Sequence, residues 1–245
     1  MANLSYDLKN LLIKENYQFI VFNTSGCIYV PGFYKFYIQD AKITKCNIDY
    51  LNRIRKILSN ESDSIIIFGG RFPLYLNKSL FNNKEGGVEA GNISTEFKSD
   101  GTYLTIEDSF KNEVLALSER NKIILIYPIP EVGWDLPRKM YLEWLKRDLL
   151  KKENFVLSDI TTSFKVYKER SSSSFKLLDS INNKNIYRIY PHEVFCNLDK
   201  YFNRCVTHND SSIFYVDSNH LTNDGAKKIN NMILKKIKSL NSTVK

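Results

Sequence analysis

The chain has 245 residues and a formal net charge of +8, and 43% of its residues are hydrophobic. That length and apolar content suffice for one sizeable core, which excludes a disordered or fibrous protein and predicts a single domain over residues 1–245. Most of the excess lysine lies in helical segments such as residues 227–245, which indicates solvated helix faces or, alternatively, attraction to an acidic membrane or anionic glycan. Since no basic stripe alternates with aromatic residues, nucleic acid is not an expected partner.

The first half of the chain predicts alternating helices and strands. An amphipathic helix is expected from about residue 3 to residue 15, where four leucines share one face: Leu4, Leu8, Leu11 and Leu12. The apolar run of residues 17–24 predicts a buried strand that ends in a loop. A helix with Asn47 as its N-cap follows, and residues 63–70 predict a second buried strand.

The second half continues the alternation after a polar, glycine-rich excursion at about residues 76–106. We expect this excursion to be a surface loop or short hairpin that contributes nothing to the core. A helix around Phe110 then leads to a third buried strand that begins at Asn121 and is stopped by prolines. The remaining predicted elements are helices at about 137–152 and 164–181, a fourth strand at 185–195, and a terminal helix with the apolar stripe Ala226, Ile229, Ile233, Ile237 and Leu240.

This alternation predicts an α/β fold with a parallel sheet that is covered by helices on both faces. In open sheets of this kind, ligands bind outside the carboxyl ends of the strands. The loops that follow the apolar runs are therefore expected to converge on one site: residues 24–27, 69–72, 128–137 and 217–222.

The segment DSNHLTNDGA, residues 217–226, carries the strongest chemical signal. An aspartate three residues before a histidine can accept the ring Nδ1–H, so that Asp217 leaves Nε2 of His220 as a free base. The alternative is an exposed loop histidine, with Asp217 acting only as a helix cap. The other two histidines, His192 and His208, are expected to contact solvent. Metal binding is not expected, because too few histidines and cysteines stand at ligand spacing.

Two features of the sequence point to different compartments. Residues 1–20 carry charged side chains throughout and no apolar stretch of 18 residues occurs, so the sequence predicts neither a signal peptide nor a membrane span. The cysteines, however, form two neighbouring pairs, Cys27 with Cys46 and Cys196 with Cys205. Two local disulfides are favoured over buried free thiols, and disulfides require an oxidising compartment.

Five blocks of the sequence, in order, resemble the SGNH (GDSL-like) hydrolase and transferase superfamily. The resemblance is to the SGNH domain at the C-terminus of acyltransferase-3 (AT3) membrane proteins, which O-acetylate bacterial surface glycans. The blocks cover nearly the whole chain: TSGC, IIIFGGRFPLY, YPIPEVGWDLP, FCNLDKYFNRC and IFYVDSNHLTNDGA. The resemblance implies a flavodoxin-like three-layer α/β/α fold with strand order 2-1-3-4-5. In departure from the family, Phe72 replaces a tryptophan and Cys27 is not followed by Pro-Pro.

A further departure concerns the nucleophile. The family opens with a strand that ends in Gly-Asp-Ser, and here Met1 stands where that block would just have ended. We therefore expect the first, central strand to be missing, the chain to be a fragment, and the serine to be encoded upstream. Loss of that strand would leave a gap of about 10 Å between residues 17–24 and 63–70. Ser5, in the first turn of a helix, is the alternative nucleophile.

The resemblance implies transfer of an acyl group, most simply acetyl, to a hydroxyl of a cell-surface polysaccharide. A serine would attack the acyl donor, His220 would take its proton, and Asp217 would orient His220. The resemblance further implies that Gly26 and Gly70 donate backbone N–H groups to the oxyanion and that Arg71 contacts substrate. The alternatives are that both glycines serve turn geometry only and that Arg71 forms an ordinary ion pair.

The resemblance also implies partners and a location. No cofactor is expected, because another domain or protein supplies the acyl donor. A membrane AT3 domain, upstream or in trans, and an envelope glycan are the expected partners. The domain would then lie on the periplasmic side, tethered to the inner membrane in the full-length protein. Export by that membrane domain would explain how a chain without a signal peptide forms disulfides. An esterase that uses water as acceptor, or a catalytically inactive glycan-binding remnant, are the alternative functions.

Overall fold

The computed structural model describes residues 2–149 and 159–242. Helices in these ranges are α1 (Ala2–Lys14), α2 (Ile48–Ser59), α3 (Phe72–Asn77), α4 (Ile106–Ser118), α5 (Leu136–Leu149), α6 (Phe164–Asp179), α7 (His192–Phe195) and α8 (Asn223–Ser242). The strands are β1 (Phe33–Tyr37), β2 (Lys42–Ile43), β3 (Ile65–Phe68), β4 (Thr95–Ser99), β5 (Lys122–Ile126), β6 (Thr161–Ser163), β7 (Ile186–Ile189) and β8 (Arg204–Val206).

A parallel sheet in the order β3-β5-β7 forms the centre of the domain. Its strands are the isoleucine-rich runs of the sequence, and β5 is buried along most of its length. Such continuous apolar runs are typical of parallel strands that are covered on both faces, since successive side chains point to opposite sides. The predicted parallel sheet is confirmed.

Two helical layers cover the sheet. On one face, Ile124 and Ile126 pack into a core cluster that includes the buried leucines of α1 and the isoleucines of α8. On the other face, Ile123 and Leu125 pack into a second cluster with apolar residues of α2, α4 and α6. The three-layer α/β/α arrangement therefore agrees with the sequence-based prediction. Within the described ranges, no helix is long and apolar enough to cross a bilayer.

The predicted buried strand at residues 17–24 is wrong. This segment forms no strand, and three of its apolar side chains, Ile20, Val21 and Phe22, are exposed, with 69% of Ile20 accessible to solvent. The same residues line a cleft whose opposite wall includes β3. A strand forms only where a neighbour supplies matching N–H and C=O groups, and the cleft separates these two segments.

The excursion at residues 76–106 contributes to the core, contrary to the prediction. Phe81 and Asn83 are buried, and Asn83 donates through Nδ2 to the carbonyl of Val132 at 2.8 Å. Its oxygen accepts the backbone N–H of Gly87 at 2.8 Å. The excursion also provides β4, which pairs with β1 in an antiparallel sheet of order β2-β1-β4. The polar composition concealed a buried side chain whose hydrogen bonds are satisfied within the protein.

Two further elements differ from the sequence-based prediction. The predicted strand at 185–195 is only partly correct, because β7 ends at Ile189 and the residues after Pro191 form α7. Proline lacks the N–H that a strand ladder needs, which explains the change. Strands β6 and β8 pair as an antiparallel ribbon that the sequence pattern did not indicate.

The structure pairs Cys27 with Cys46 and Cys196 with Cys205. The first pair closes a loop of 19 residues in sequence separation and the second a loop of 9. The first cross-link joins two loops, and the second joins Cys205 in β8 to Cys196, which directly follows α7. They reduce the conformational freedom of the unfolded chain more than that of the folded one.

Removing the Cys27–Cys46 cross-link, by changing both cysteines to serine, is expected to lower the free energy of unfolding by about 3 kcal/mol because the unfolded chain regains loop entropy. The matched change at Cys196 and Cys205 is expected to cost slightly less, about 2.5 kcal/mol, because its loop is shorter. Urea unfolding under non-reducing conditions measures both values. An unchanged unfolding free energy in either double variant would contradict the corresponding disulfide.

Candidate active site

A cleft of about 1100 Å³ opens beside β3, at the edge of the central sheet. Apolar residues of α1, α2 and α8 line much of it, together with residues 17–24. Gly26, Gly70, Arg71 and His220, which the sequence predicts as site residues, all border this cleft. Three of the four predicted loops, at residues 24–27, 69–72 and 217–222, therefore contribute to this cleft. The fourth, residues 128–137, contacts them from outside it, through Glu131 to Arg71 and through Val132 to Ser218.

Asp217 and His220 form a hydrogen-bonded pair. Oδ2 of Asp217 lies 2.7 Å from Nδ1 of the imidazole. Oδ1 of the same carboxylate accepts the backbone N–H groups of Asn219 at 2.9 Å and of His220 at 2.7 Å. This turn fixes the carboxylate against the ring, so that a neutral imidazole carries its proton on Nδ1 and presents Nε2 as a base.

Asp217 is not the cap of the helix that follows. The first turn of α8 is capped by Thr222, whose Oγ1 accepts the backbone N–H of Gly225 at 3.1 Å. Gly225 is required there because an added Cβ would lie 2.3 Å from the carbonyl oxygen of Phe214. Helix α8 therefore begins close against the preceding segment, and Asp217 remains available to the imidazole.

Backbone contacts hold the loop of Asp217 and His220 in place. Val132 and Gly133 both donate their N–H groups to the carbonyl of Ser218, at 2.8 and 3.0 Å. The hydroxyl of Tyr215, a buried residue, donates to the carbonyl of Pro130 at 2.8 Å. The loop that follows β5 therefore anchors the loop that carries His220.

Partial burial tends to raise the pKa of Asp217, but hydrogen bonds from the N–H groups of Asn219 and His220 and from the His220 ring outweigh it. The pKa of Asp217 therefore lies below its usual value of 3.8. A lowered pKa means that this carboxylate stabilises the fold above its unfolded-state pKa and that the contribution is lost as the pH falls through the folded-state pKa. At neutral pH the aspartate is ionised, as an orienting partner of histidine must be.

The two glycines predicted for the oxyanion site lie in tight surroundings. Gly26 adopts a positive φ of 65°, and its carbonyl accepts a hydrogen bond from Nζ of Lys35 at 2.9 Å. A Cβ on Gly70 would lie 2.7 Å from Cγ2 of Ile28. Gly26 therefore needs glycine for its backbone conformation and Gly70 for the close approach of Ile28, and their donation to an oxyanion stays a prediction.

Arg71 is bound by two carboxylates. Its Nη1 and Nη2 donate to the two oxygens of Glu89 at 2.7 and 2.5 Å, and its Nε donates to Glu131 at 2.6 Å. Glu131 also pairs with Arg170 at 2.9 Å. These contacts favour the ion-pair interpretation of Arg71 over direct substrate contact.

The sequence analysis missed Asn219, which lines the cleft, and Glu89, which contacts it. Nδ2 of Asn219 donates to Oε1 of Glu89 at 3.1 Å, across 130 positions of sequence. Glu89 lies in the polar excursion, and no local pattern distinguishes it from the other acidic residues there. The acidic side chain becomes informative only when the fold brings it beside Arg71.

The prediction that His192 and His208 contact solvent is wrong for His208, whereas His192 is half-buried. Nε2 of the buried His208 accepts the backbone N–H of Ile160 at 3.2 Å. His192 packs among aromatic rings, including Tyr167 and Tyr190, with ring centroids 5.7 and 5.8 Å away, and burial lowers its pKa. Across residues 2–149 and 159–242, no group of three or more acidic, histidine or cysteine side chains is arranged to hold a metal ion.

Comparison with solved structures supports the fold. The chain is similar to the periplasmic domain of a lipopolysaccharide acetyltransferase from Salmonella ser. Paratyphi A, with a TM-score of 0.52 and 16% identity over 96% of this chain and 78% of that chain. A weaker likeness, with a TM-score of 0.32 and 10% identity, is to the salicylyl-acyltransferase SsfX3 from a tetracycline biosynthetic pathway, over 77% of this chain and 41% of that chain. No curated protein sequence gives a significant match.

A family model for the SGNH domain that is fused to AT3 domains matches residues 1–235. The match includes the Asp217–His220 loop and both disulfides, so the resemblance seen in the sequence blocks extends over the whole fold. The chain belongs to the family of SGNH domains that are fused to AT3 domains.

Proposed function

We propose that this domain transfers an acyl group, most simply acetyl, to a hydroxyl of a bacterial surface polysaccharide. The observation that carries the proposal is the pair of Asp217 and His220 at the cleft, with the carboxylate 2.7 Å from the ring. Such a pair prepares Nε2 to take a proton from a nucleophile. Fusion of the family to AT3 domains, and the acetyltransferase of similar fold, support acyl transfer onto a glycan.

A serine on an added strand supplies the nucleophile in this proposal. Strand β3 is an edge of the sheet, and no strand of the described ranges pairs with its side away from β5. Across the cleft, the side chains of Ile20, Val21 and Phe22 are exposed. A strand that filled the cleft would cover them. An apolar strand in the cleft, parallel to β3, would end at the loops of Gly70 and His220, because parallel strands share their carboxyl edge. A serine that follows such a strand reaches the imidazole.

The proposed reaction proceeds in two acyl transfers. The serine Oγ attacks the carbonyl carbon of the donor while its proton passes to Nε2 of His220, and the leaving group then takes that proton as its bond to the acyl carbon breaks. In the second step the sugar hydroxyl attacks the acyl-serine ester, its proton passes to Nε2, and the serine oxygen recovers a proton from His220. Backbone N–H groups of the Gly26 and Gly70 loops stabilise the oxyanion.

The proposed location is the periplasmic side of the inner membrane, beside an AT3 domain that delivers the acyl group. The family description includes that fusion. The two disulfides support an oxidising compartment. Tethering to the membrane and the envelope glycan as acceptor are parts of this proposal.

An acetyl-transfer assay distinguishes the three candidate functions. The protein, expressed from its native gene, is incubated with a chromogenic acetyl ester, with and without a surface polysaccharide as acceptor. We expect acetyl to appear on the glycan, with release of the chromophore faster when glycan is present. Chromophore release at one rate in both conditions, with free acetate as the product, would instead indicate an esterase.

In the third possible outcome, the protein binds the glycan but neither transfers acetyl nor releases the chromophore. This outcome would contradict the proposal and favour an inactive glycan-binding remnant. The matched control is Asp224→Asn, which alters an exposed aspartate that pairs with Lys227 and lies four positions after His220 in the sequence. This variant is expected to keep the activity of the unmodified protein.

A further inference from the structure

We propose that Glu89 is a positioning residue for His220: its carboxylate, fixed by Arg71, holds Asn219 and thereby the loop on which Asp217 and His220 stand. This inference rests on the proposed function only in giving His220 a catalytic role. The contacts of Glu89 with Arg71 and Asn219 are present in the structure whatever reaction the domain performs. The polar excursion, expected to be a surface loop or short hairpin, thus contacts the loop that carries His220.

The carboxylate of Glu89 is held from three directions. Arg71 donates to both of its oxygens, at 2.7 and 2.5 Å. The backbone N–H of Phe81 donates to Oε2 at 3.1 Å, and Nδ2 of Asn219 donates to Oε1 at 3.1 Å. Only 11% of the Glu89 side chain is exposed. A carboxylate so enclosed has few alternative positions, and it therefore offers Asn219 a fixed acceptor.

Arg71 is itself immobilised on its other side. Glu131 accepts from Arg71 and from Arg170, so two arginines and two glutamates alternate in one network. Arg170 continues the network by donating to the hydroxyl and the carbonyl of Ser79 at 2.9 and 2.8 Å. Charges that are enclosed and paired in this way hold one geometry, because any displacement leaves a desolvated charge without its partner. The network thus connects α3, α6, the loop after β5 and the excursion.

Asn219 transmits this fixed geometry to the catalytic pair. It lies between Asp217 and His220, and its own N–H bonds to Oδ1 of Asp217 at 2.9 Å. With 63% of its side chain exposed, His220 is oriented by hydrogen bonds more than by packing. Val132 and Gly133 hold one side of the loop through the Ser218 carbonyl, and Glu89 holds the Asn219 side chain.

NMR of the His220 ring tests the inference without any catalytic assay. Asn219→Ala removes the contact to Glu89 and leaves the charge network intact, whereas Glu89→Ala removes both. We expect both variants to increase solvent exchange of the His220 Nδ1–H by about tenfold and to shift the ring nitrogens toward a mixture of tautomers. Glu89→Gln is expected to change exchange less, because its amide oxygen still accepts from Asn219.

The matched control is Glu85→Ala, which removes another carboxylate of the excursion, paired with Arg204 and not with the catalytic loop. It should leave the His220 signals unchanged. Backbone amide spectra establish that each variant is folded. Unchanged Nδ1–H exchange and tautomer signals in folded Asn219→Ala would overturn the inference. Because these signals do not depend on turnover, that result would leave the proposed acyl transfer unaffected, and loss of acyl transfer would leave this inference unaffected.

Discussion

Replacement of His220 by alanine is expected to lower kcat/KM for acyl transfer by at least about 10³-fold in the polypeptide that carries the serine strand. The reason is that alanine leaves no base at the cleft to take the serine proton, while the fold, in which His220 is largely exposed, is unaffected. Initial rates of acetyl transfer to glycan measure the effect. A variant that retains more than about a tenth of the wild-type kcat/KM would contradict the role of His220.

A comparison of two aspartates, Asp217 and Asp224, tests the contact between Asp217 and His220. Asp217→Asn keeps the size of the side chain but removes the charge that fixes the Nδ1–H tautomer, so kcat is expected to fall by about 10²- to 10⁴-fold. Asp224→Asn, a neighbouring exposed aspartate, is expected to have no effect on kcat. Equal rates for the two variants would mean that the 2.7 Å contact has no part in the reaction.

The largest expected loss of stability follows from Glu131→Ala. This change leaves Arg170, of which only 8% of the side chain is exposed, and Arg71 without a shared carboxylate. Breaking a buried ion pair by removing one partner costs about 3–5 kcal/mol, because the remaining charge stays desolvated. Urea or thermal unfolding of the variant measures this loss of unfolding free energy.

A matched surface glutamate tests whether burial is the cause. Glu169 lies next to Arg170 in sequence, is exposed and pairs with Lys165 at 4.0 Å. Glu169→Ala is expected to change the unfolding free energy by less than about 1 kcal/mol. If Glu131→Ala costs no more than Glu169→Ala, the network around Arg71 is not a stabilising unit.

The parts of the fold that the sequence predicts best are those whose pattern is local. Strands β3 and β5 are short isoleucine-rich runs, and Asn47 accepts the N–H of Tyr50 at 2.8 Å as an N-cap should. Asp217 and His220 are three positions apart, so one turn determines their contact. Local spacing was sufficient in each of these cases.

The parts that the sequence could not predict depend on distant partners. Residues 17–24 have the composition of a strand, but a strand needs a hydrogen-bonded neighbour, and the cleft separates this segment from β3. Glu89 and Asn219 are 130 positions apart, and the excursion that brings them together has no apolar periodicity. Arg71 could be assigned to an ion pair only after both of its carboxylates were located.

The central claim is that His220 activates a serine on a strand that fills the cleft beside β3. A fluorophosphonate probe reacts with activated serines, and mass spectrometry of the labelled peptides identifies which serine carries it. In the protein expressed from its native gene, we predict a single labelled serine directly after an apolar strand that fills this cleft, and no label in His220→Ala. Label on Ser5, or label that forms equally fast without His220, would contradict the account.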